Sequence, residues 1–226
     1  MYFIQYISYF FYLAVNWNFS LAAFLIWHEW KGERLFGGKT TGIYNLRKDV
    51  PESDRFHASI YQPVNFYTAQ RLLDTLDAND KKGTLLDAGC GMGRIFFIAG
   101  GVGFSSVYGI DISPRLCHLA ILQAHAAEQR YNQLAVAVDC VNAAEYDVPD
   151  EITIIFMFNP FDTFIMKAFV QRVMESLHRN PRTIKVLYAN PVHKSLWIEA
   201  GFEEIFHFSK MKYLEGSVLR YLHSNT

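Results

Sequence analysis

The chain has 226 residues, a length typical of one domain with room for an appendage. Its 21 Lys and Arg residues nearly balance 22 Asp and Glu residues, which excludes a strongly basic nucleic-acid binder and an acidic disordered chain. Hydrophobic residues make up 51% of the chain, which is enough for a large core. Its three cysteines form no CxxC pair, which disfavours a disulfide scaffold or a structural zinc site and favours a reducing compartment.

Residues 1–27 form an apolar segment without a charged side chain, and they contain eleven of the 36 Phe, Tyr and Trp residues. As one helix the segment would measure about 40 Å at ~1.5 Å per residue, enough to cross a ~30 Å hydrocarbon core. Five basic residues between positions 28 and 48 would keep the C-terminal side in the cytoplasm, anchored to the inner face of the membrane. The alternative is a helix that packs on the domain or on a partner, because Asn16 and Asn18 lie where lipid would penalise them.

Residues 28–57 have the mixture of Gly, Lys, Asp and Pro that is typical of a linker. The sequence from His28 to Gly32 begins like the zinc-protease motif, but glycine replaces the second histidine that the motif needs. We therefore expect a connecting segment and no metal site.

From there on, short apolar segments alternate with amphipathic ones. Helices are expected over residues 65–76, 95–99, 114–131 and 163–177, and strands over residues 84–88, 106–110, 135–138, 152–158 and 183–189. This α/β alternation predicts a parallel sheet covered on both faces by helices. Residues 204–208 and 217–222 predict an antiparallel hairpin with a glycine-containing turn.

A glycine turn follows the first of these strands, in the segment DAGCGMGR at residues 87–94. Gly89, Gly91 and Gly93 allow the backbone to approach a ligand closely and place amide groups at a helix N-terminus. The G-x-G-x-G spacing differs from the dinucleotide fingerprint, and the bulky Arg94 stands where that fingerprint has a small residue. NAD binding is therefore disfavoured.

An acidic residue ends each of the next two predicted strands. Asp111 ends VYGID and can accept both hydroxyls of a ribose, whereas Asp139 ends AVAVD and can accept from an adenine amino group. Helix capping or turn formation is the alternative for each aspartate. Because ligands of open α/β sheets bind at the carboxyl ends of the strands, the three features together predict a nucleotide-like ligand there.

The segment LLDAGCGMGR, together with Asp111 and Asp139, resembles class I S-adenosylmethionine-dependent methyltransferases, over residues 58–224. The resemblance implies a methyltransferase domain over residues 58–226, with a Rossmann-like, seven-stranded, mostly parallel sheet and an antiparallel C-terminal hairpin. It implies S-adenosyl-L-methionine as the cofactor. The cofactor-binding residues that it implies are Asp87, Gly89, Cys90, Gly91, Gly93, Asp111, Ile112, Asp139 and Cys140.

The fourth strand ends in FNPFD, residues 158–162, which is similar to the (Asn/Asp/Ser)-Pro-Pro-(Tyr/Phe) motif of amino-group methyltransferases with one proline missing. The resemblance implies that Asn159 and the Pro160 carbonyl accept hydrogen bonds from a target amine, and that Phe161 stacks on a planar acceptor. The missing proline argues against a nucleobase target. The alternative is that Asn159 and Pro160 cap the next helix.

Tyr61 belongs to a Tyr-x-Pro sequence before the first domain helix. With FNPF and the later YANP, this sequence resembles a group of bacterial methyltransferases and, distantly, lysine methyltransferases that act on an ATP synthase subunit. Tyr61 is a candidate lid over the cofactor or substrate, and packing under the linker is its alternative.

The resulting prediction is a methyltransferase that transfers methyl to an amine nitrogen of a protein or small molecule. Sequence-specific nucleic acid is not expected, because the net charge is near zero and 226 residues leave no room for a target-recognition domain. Two alternatives remain: a non-catalytic scaffold at the membrane, and a nucleotide-dependent oxidoreductase, which the glycine spacing disfavours.

Overall fold

The computed structural model describes residues 2–40, 44–45 and 60–222. The helices are α1 Tyr2–Asn16, α2 Phe19–Phe36, α3 Phe66–Leu73, α4 Arg94–Val102, α5 Pro114–Arg130, α6 Thr163–Arg179 and α7 Lys194–Glu199. The strands are β1 Tyr44–Asn45, β2 Ile60–Tyr61, β3 Thr84–Ala88, β4 Ser106–Asp111, β5 Ala135–Cys140, β6 Ile152–Phe158, β7 Ile184–Ala189, β8 Glu203–Lys210 and β9 Leu214–Tyr221.

Seven strands form one sheet in the order β5-β4-β3-β6-β7-β9-β8, and β1 pairs separately with β2. The pairs from β5 to β7 are parallel, whereas β9 runs antiparallel to both β7 and β8. The predicted Rossmann-like sheet with an antiparallel C-terminal hairpin is confirmed. Its order reverses at β3, which places the first predicted strand in the middle of the sheet, between β4 and β6.

Side-chain caps set the starts of α3 and α5. The Ser113 hydroxyl accepts a hydrogen bond from the Leu116 N–H at 3.3 Å, and Pro114 occupies the first turn of α5, as predicted. The Asn65 side chain accepts from the Thr68 N–H at 2.8 Å and begins α3. These caps satisfy amide groups that the helices themselves leave without partners.

Two apolar layers cover the sheet. One contains side chains of α3, α4 and α5, with Phe96 and Phe104 fully buried, and the other contains side chains of α6 and α7, with Phe169 and Trp197 fully buried. Both faces of the central strands are therefore buried, which is why those strands read as continuous apolar runs rather than alternating ones.

The turn between β8 and β9 differs from the prediction of a glycine-containing turn. Met211 and Lys212 form the turn with φ values of 54° and 65°, and the Tyr213 N–H donates to the Lys210 carbonyl at 3.3 Å. Gly216 lies inside β9 instead, where an added Cβ would meet the Phe208 ring at 2.5 Å. That glycine serves the packing of the hairpin and not its turn.

The apolar N-terminal segment forms two helices, so the prediction of one helix over residues 1–27 is wrong. The break falls at Asn18, which is extended (φ −166°) and whose side chain accepts from the Leu21 N–H at 2.8 Å. Helix α2 then continues through nine residues of the predicted linker, to Phe36. In the described part of the chain, no helix is long and apolar enough to cross a membrane.

The N-terminal helices pack against the rest of the chain through a third apolar cluster. Its buried members are Tyr9, Leu13, Leu21, Ala22, Leu25 and, from the start of β9, Leu214. The remainder of the predicted linker, apart from residues 37–40 and 44–45, lies outside the described residues.

Candidate functional site

A cavity of about 290 Å³ lies at the carboxyl ends of β3, β4 and β6, where the strand order reverses. This is the position at which open α/β sheets bind their ligands. Most of the residues predicted to bind the cofactor or acceptor come together here, at the ends of three neighbouring strands and on the loops that follow them. Those that line the cavity are Asp87, Gly89, Cys90, Asp111, Ile112, Asn159, Pro160 and Phe161.

The glycine loop needs its glycines for two reasons. Gly89, Gly91 and Gly93 have φ values of 77°, 55° and 80°, a region that strains residues with a Cβ. Gly89 also lies against the loop after β6, since an added Cβ would be 2.4 Å from the Cβ of Pro160. The glycine loop, which is the predicted cofactor loop (residues 89–93), and the predicted acceptor loop (residues 159–161) are therefore in direct contact.

Asp111 fixes the glycine loop from the end of β4. Its Oδ2 accepts from the Gly91 N–H at 2.9 Å and its Oδ1 accepts from the Ser113 N–H at 2.9 Å. Each carboxylate oxygen has a second lone pair, so the group can still accept hydroxyl donors from a ligand in the cavity. Burial raises the pKa of Asp111, and the donating backbone N–H groups oppose that rise.

Asp87 is a buried carboxyl group on the cavity wall, with 3% of its surface exposed. Its Oδ2 has no hydrogen-bond partner among the described residues. Burial raises the pKa of Asp87 well above its usual range, and the nearby Asp111 adds to the rise. A cationic group of a ligand would supply the missing partner and favour the charged form of this side chain.

Cys90 lines the cavity as well, but its thiol is not a nucleophile in this setting. Burial raises the pKa of Cys90 well above its usual range, and the negative charges of Asp111 and Asp87 raise it further. The thiol therefore stays protonated near neutral pH.

Asn159 follows β6 in a left-handed backbone conformation, with φ of 38°. A chain of hydrogen bonds orients its side chain: the His193 N–H donates to the Tyr188 hydroxyl at 3.3 Å, and that hydroxyl donates to Asn159 Oδ1 at 3.3 Å. Burial raises the pKa of Tyr188 to about 12, which keeps the hydroxyl protonated as a donor. Phe161 lines the same wall and rests edge-on against Phe169.

The cap of α6 is Asp162, whose carboxylate accepts from the Ile165 N–H at 2.9 Å. The capping alternative for Asn159 and Pro160 is therefore wrong, because the helix begins after them and already has a cap.

Asp139 and Cys140 do not line the cavity, in contrast to the prediction. Strand β5 runs two residues further than expected, to Cys140, so Asp139 lies inside the strand and not beyond its end. Val141, Asn142 and Ala143 come after the strand and form the wall in its place. Both predicted residues are exposed on the edge strand.

Three further predicted residues have other positions. Gly91 and Gly93 are buried within the loop and shape it without lining the cavity. The side chain of Tyr61 lies outside the described residues, although its backbone belongs to β2.

Sequence reasoning missed Arg94, Asn142 and Asn190 as cavity residues. The sequence indicated only that Arg94 is too bulky for a dinucleotide fingerprint. In the structure its guanidinium forms an ion pair with Glu29 of α2 at 2.8 Å. Asn190 has φ of 51°. The YANP sequence at the end of β7 could have suggested this conformation, since asparagine tolerates it. Among the described residues, no three His, Cys, Asp or Glu side chains are placed to hold a metal ion.

Three solved structures share the fold at low sequence identity. A ribosomal protein methylase from Lactobacillus delbrueckii subsp. bulgaricus has a TM-score of 0.53 at 17% identity, over 71% of this chain and 81% of that one. The glycopeptide N-methyltransferase MtfA, complexed with S-adenosylmethionine, has a TM-score of 0.53 at 11% identity, over 70% and 87%. An RNA methyltransferase from Salinibacter ruber, in complex with S-adenosylhomocysteine, has a TM-score of 0.50 at 18% identity, over 73% and 95%.

No curated protein is significantly similar to the chain in sequence. Residues 85–182, which run from β3 past α6, match the family model of a methyltransferase domain. The scaffold and oxidoreductase alternatives receive no support from these comparisons. Residues 85–182 are therefore similar to a methyltransferase domain, and the chain shares the fold of solved methyltransferases.

Proposed function

We propose that the chain transfers a methyl group from S-adenosylmethionine to an amine nitrogen of a protein or small molecule. The observation that carries the proposal is the contact between Gly89 and Pro160, which joins the cofactor loop and the acceptor loop on one cavity. The three fold neighbours are named for different acceptors, so the acceptor has to be argued from this chain's own residues.

The cavity fits the cofactor by the chemistry of its walls. Asp87 offers a buried carboxylate oxygen without a partner to the positively charged amino group of the methionine part. Asp111 offers its remaining lone pairs to the ribose hydroxyls, and Gly89 leaves the space that a Cβ would fill. The wall at Val141 and Asn142 suits the adenine in place of the predicted Asp139.

On the acceptor side, Asn159 holds the nitrogen in place. The Tyr188 hydroxyl occupies one lone pair of Asn159 Oδ1 and orients the amide, so the second lone pair is available to an amine N–H. The Pro160 carbonyl provides a second acceptor, and Phe161 provides an apolar surface beside it. Two fixed acceptors define the direction of the nitrogen lone pair, which converts a random encounter into a positioned displacement.

When bound, S-adenosylmethionine supplies a methyl group on a positively charged sulfur. The nitrogen lone pair forms the new N–C bond while the C–S bond breaks, and the electron pair of that bond stays with sulfur. The methylated nitrogen then loses one proton to water. The residues around Asn159 therefore need to bind the neutral amine and orient it, and no side chain has to act as a nucleophile.

Labelled cofactor tests the proposal directly. The full chain is incubated with methyl-labelled S-adenosylmethionine and with soluble and membrane fractions of a cell lysate, and the labelled products are treated with mild alkali. Label on nitrogen should survive alkali, whereas a methyl ester would release methanol. Calorimetry that detects no binding of S-adenosylmethionine or S-adenosylhomocysteine would contradict the whole proposal, and alkali-labile label would contradict the amine acceptor alone.

A further inference from the structure

A second cavity, of about 280 Å³, lies between the N-terminal helices, α3 and the β8–β9 hairpin. Four of its lining residues come from the N-terminal helices, namely Tyr9, Leu13, Leu21 and Leu25, and Trp17 lies in the turn between these helices. The prediction of residues 1–27 as a membrane segment or packing helix gave them no part in a binding site.

The second cavity adjoins the first. Gln62, Pro63, Phe158 and Asn190 line both, so these four residues form a common wall between the site of Asn159 and the space between the N-terminal helices. The Gln62 side chain also donates to the Tyr9 hydroxyl at 3.4 Å, which ties the shared wall to α1.

The lining has the chemistry of a site for an apolar group. Its walls are mainly aliphatic and aromatic, and none of its described lining residues is Lys or Arg, which disfavours phosphate-bearing ligands. Glu215 also lines the cavity near the shared segment, where its backbone carbonyl accepts from the Asn190 N–H at 2.9 Å, and its carboxylate lies 3.8 Å from His207 Nε2. Thr68 is buried, and its Oγ1 has no hydrogen-bond partner among the described residues. A polar group of a ligand can form the missing hydrogen bond with this hydroxyl.

We propose that this second cavity binds the body of the methyl acceptor, and that the acceptor is a small amine with an apolar body of roughly nine non-hydrogen atoms, each counted at ~30 Å³. This inference rests on the proposed methyl transfer and names its substrate class. The amine nitrogen lies at Asn159, and the body lies against Leu21 and Leu25.

A series of straight-chain alkylamines, from four to eight carbons, tests the proposal by calorimetry on the full chain, with and without S-adenosylhomocysteine. Affinity should rise about fourfold with each methylene until the cavity is full. Leu21→Trp should remove this rise while leaving the affinity for S-adenosylhomocysteine unchanged. Leu35→Trp is the matched control, because Leu35 is exposed on the same helix and lies outside both cavities, and it should keep the rise.

A second variant decides the matter if Leu21→Trp fails to fold. Leu25→Phe, which also narrows the cavity, should stop the rise in affinity at a shorter alkylamine and leave the affinity for S-adenosylhomocysteine unchanged. Affinity that does not depend on chain length, or stronger binding of a lysine-containing peptide than of any alkylamine, would overturn the inference. Loss of S-adenosylhomocysteine binding would contradict the proposed function instead, and the series without cofactor would still report on the cavity.

Discussion

The guanidinium of Arg94 and the carboxylate of Glu29 form a buried ion pair, with 2.8 Å between Nη1 and Oε1. Arg94 begins α4 directly after the glycine loop, and Glu29 lies in α2. The same guanidinium donates to Thr40 and to the Val64 carbonyl and lies 4.3 Å from the ring centroid of Phe66. The N-terminal helices therefore support the cavity and are not a separate appendage.

We expect Glu29→Gln to lower the free energy of unfolding by about 3–5 kcal/mol, because it leaves the charge of Arg94 buried without its partner. Urea denaturation measures this loss. Glu203→Gln is the control, since Glu203 pairs with Arg220 on the surface and its loss should cost about 1 kcal/mol or less. Equal losses in the two variants would mean that the buried pair contributes no more to the free energy of unfolding than the surface pair.

Asp111→Asn should weaken binding of S-adenosylhomocysteine about 10- to 100-fold, through the loss of charge-assisted hydrogen bonds to the ribose. The matched variant Asp139→Asn should bind normally, because Asp139 lies within β5 and does not line the cavity. Calorimetry on both variants compares the contributions of the two aspartates to binding, although the sequence predicted both as cofactor-binding residues. Weaker binding by Asp139→Asn would restore the original prediction for that residue.

The raised pKa of Asp87 gives the ligand-free protein a characteristic pH dependence. The folded state holds this proton more tightly than the unfolded state, so the stabilising contribution is complete at low pH and is lost as the pH rises from ~4 through the raised value. Asp87→Asn should therefore melt at the same temperature as the wild type near pH 4 and above it at neutral pH. A wild type that gains stability relative to Asp87→Asn with rising pH would contradict the raised pKa.

Asn159→Gly should lower methyl transfer about 100-fold, the cost of a misplacement of roughly 1 Å, while cofactor affinity stays unchanged. Glycine is the appropriate replacement because it adopts the positive φ of this position without strain. Asp162→Ala is the contrasting variant: it should lose about 0.5–2 kcal/mol of stability with the loss of a helix cap, and keep its turnover per folded molecule. Normal turnover by Asn159→Gly would remove Asn159 from the site.

Lys212→Gly should stabilise the protein by about 0.5–1 kcal/mol, because Lys212 occupies the left-handed region in the β8–β9 turn. Lys210→Gly, two residues earlier in extended β8, should destabilise it by about 0.5–1 kcal/mol. Thermal denaturation of the two variants compares the same substitution in two backbone conformations. A loss of stability in both would mean that the turn tolerates lysine without strain.

The sequence by itself determined the features that depend on local signals. The alternation of apolar strands and helices predicted the sheet, the Ser113-Pro114 pair predicted the start of α5, and the glycine spacing excluded a dinucleotide fingerprint. Each of these signals acts between residues a few positions apart, so the chemistry of neighbouring side chains is enough to read it.

Only the tertiary structure decided which distant residues meet. The Glu29–Arg94 pair joins positions 65 residues apart, and the second cavity combines residues 9–25 with residues 213–215. The position of Asp139 depended on where β5 ends, which is set by its pairing with β4. Pairing and burial are settled by packing over the whole domain, and no local pattern in the sequence encodes which partner each side chain will find.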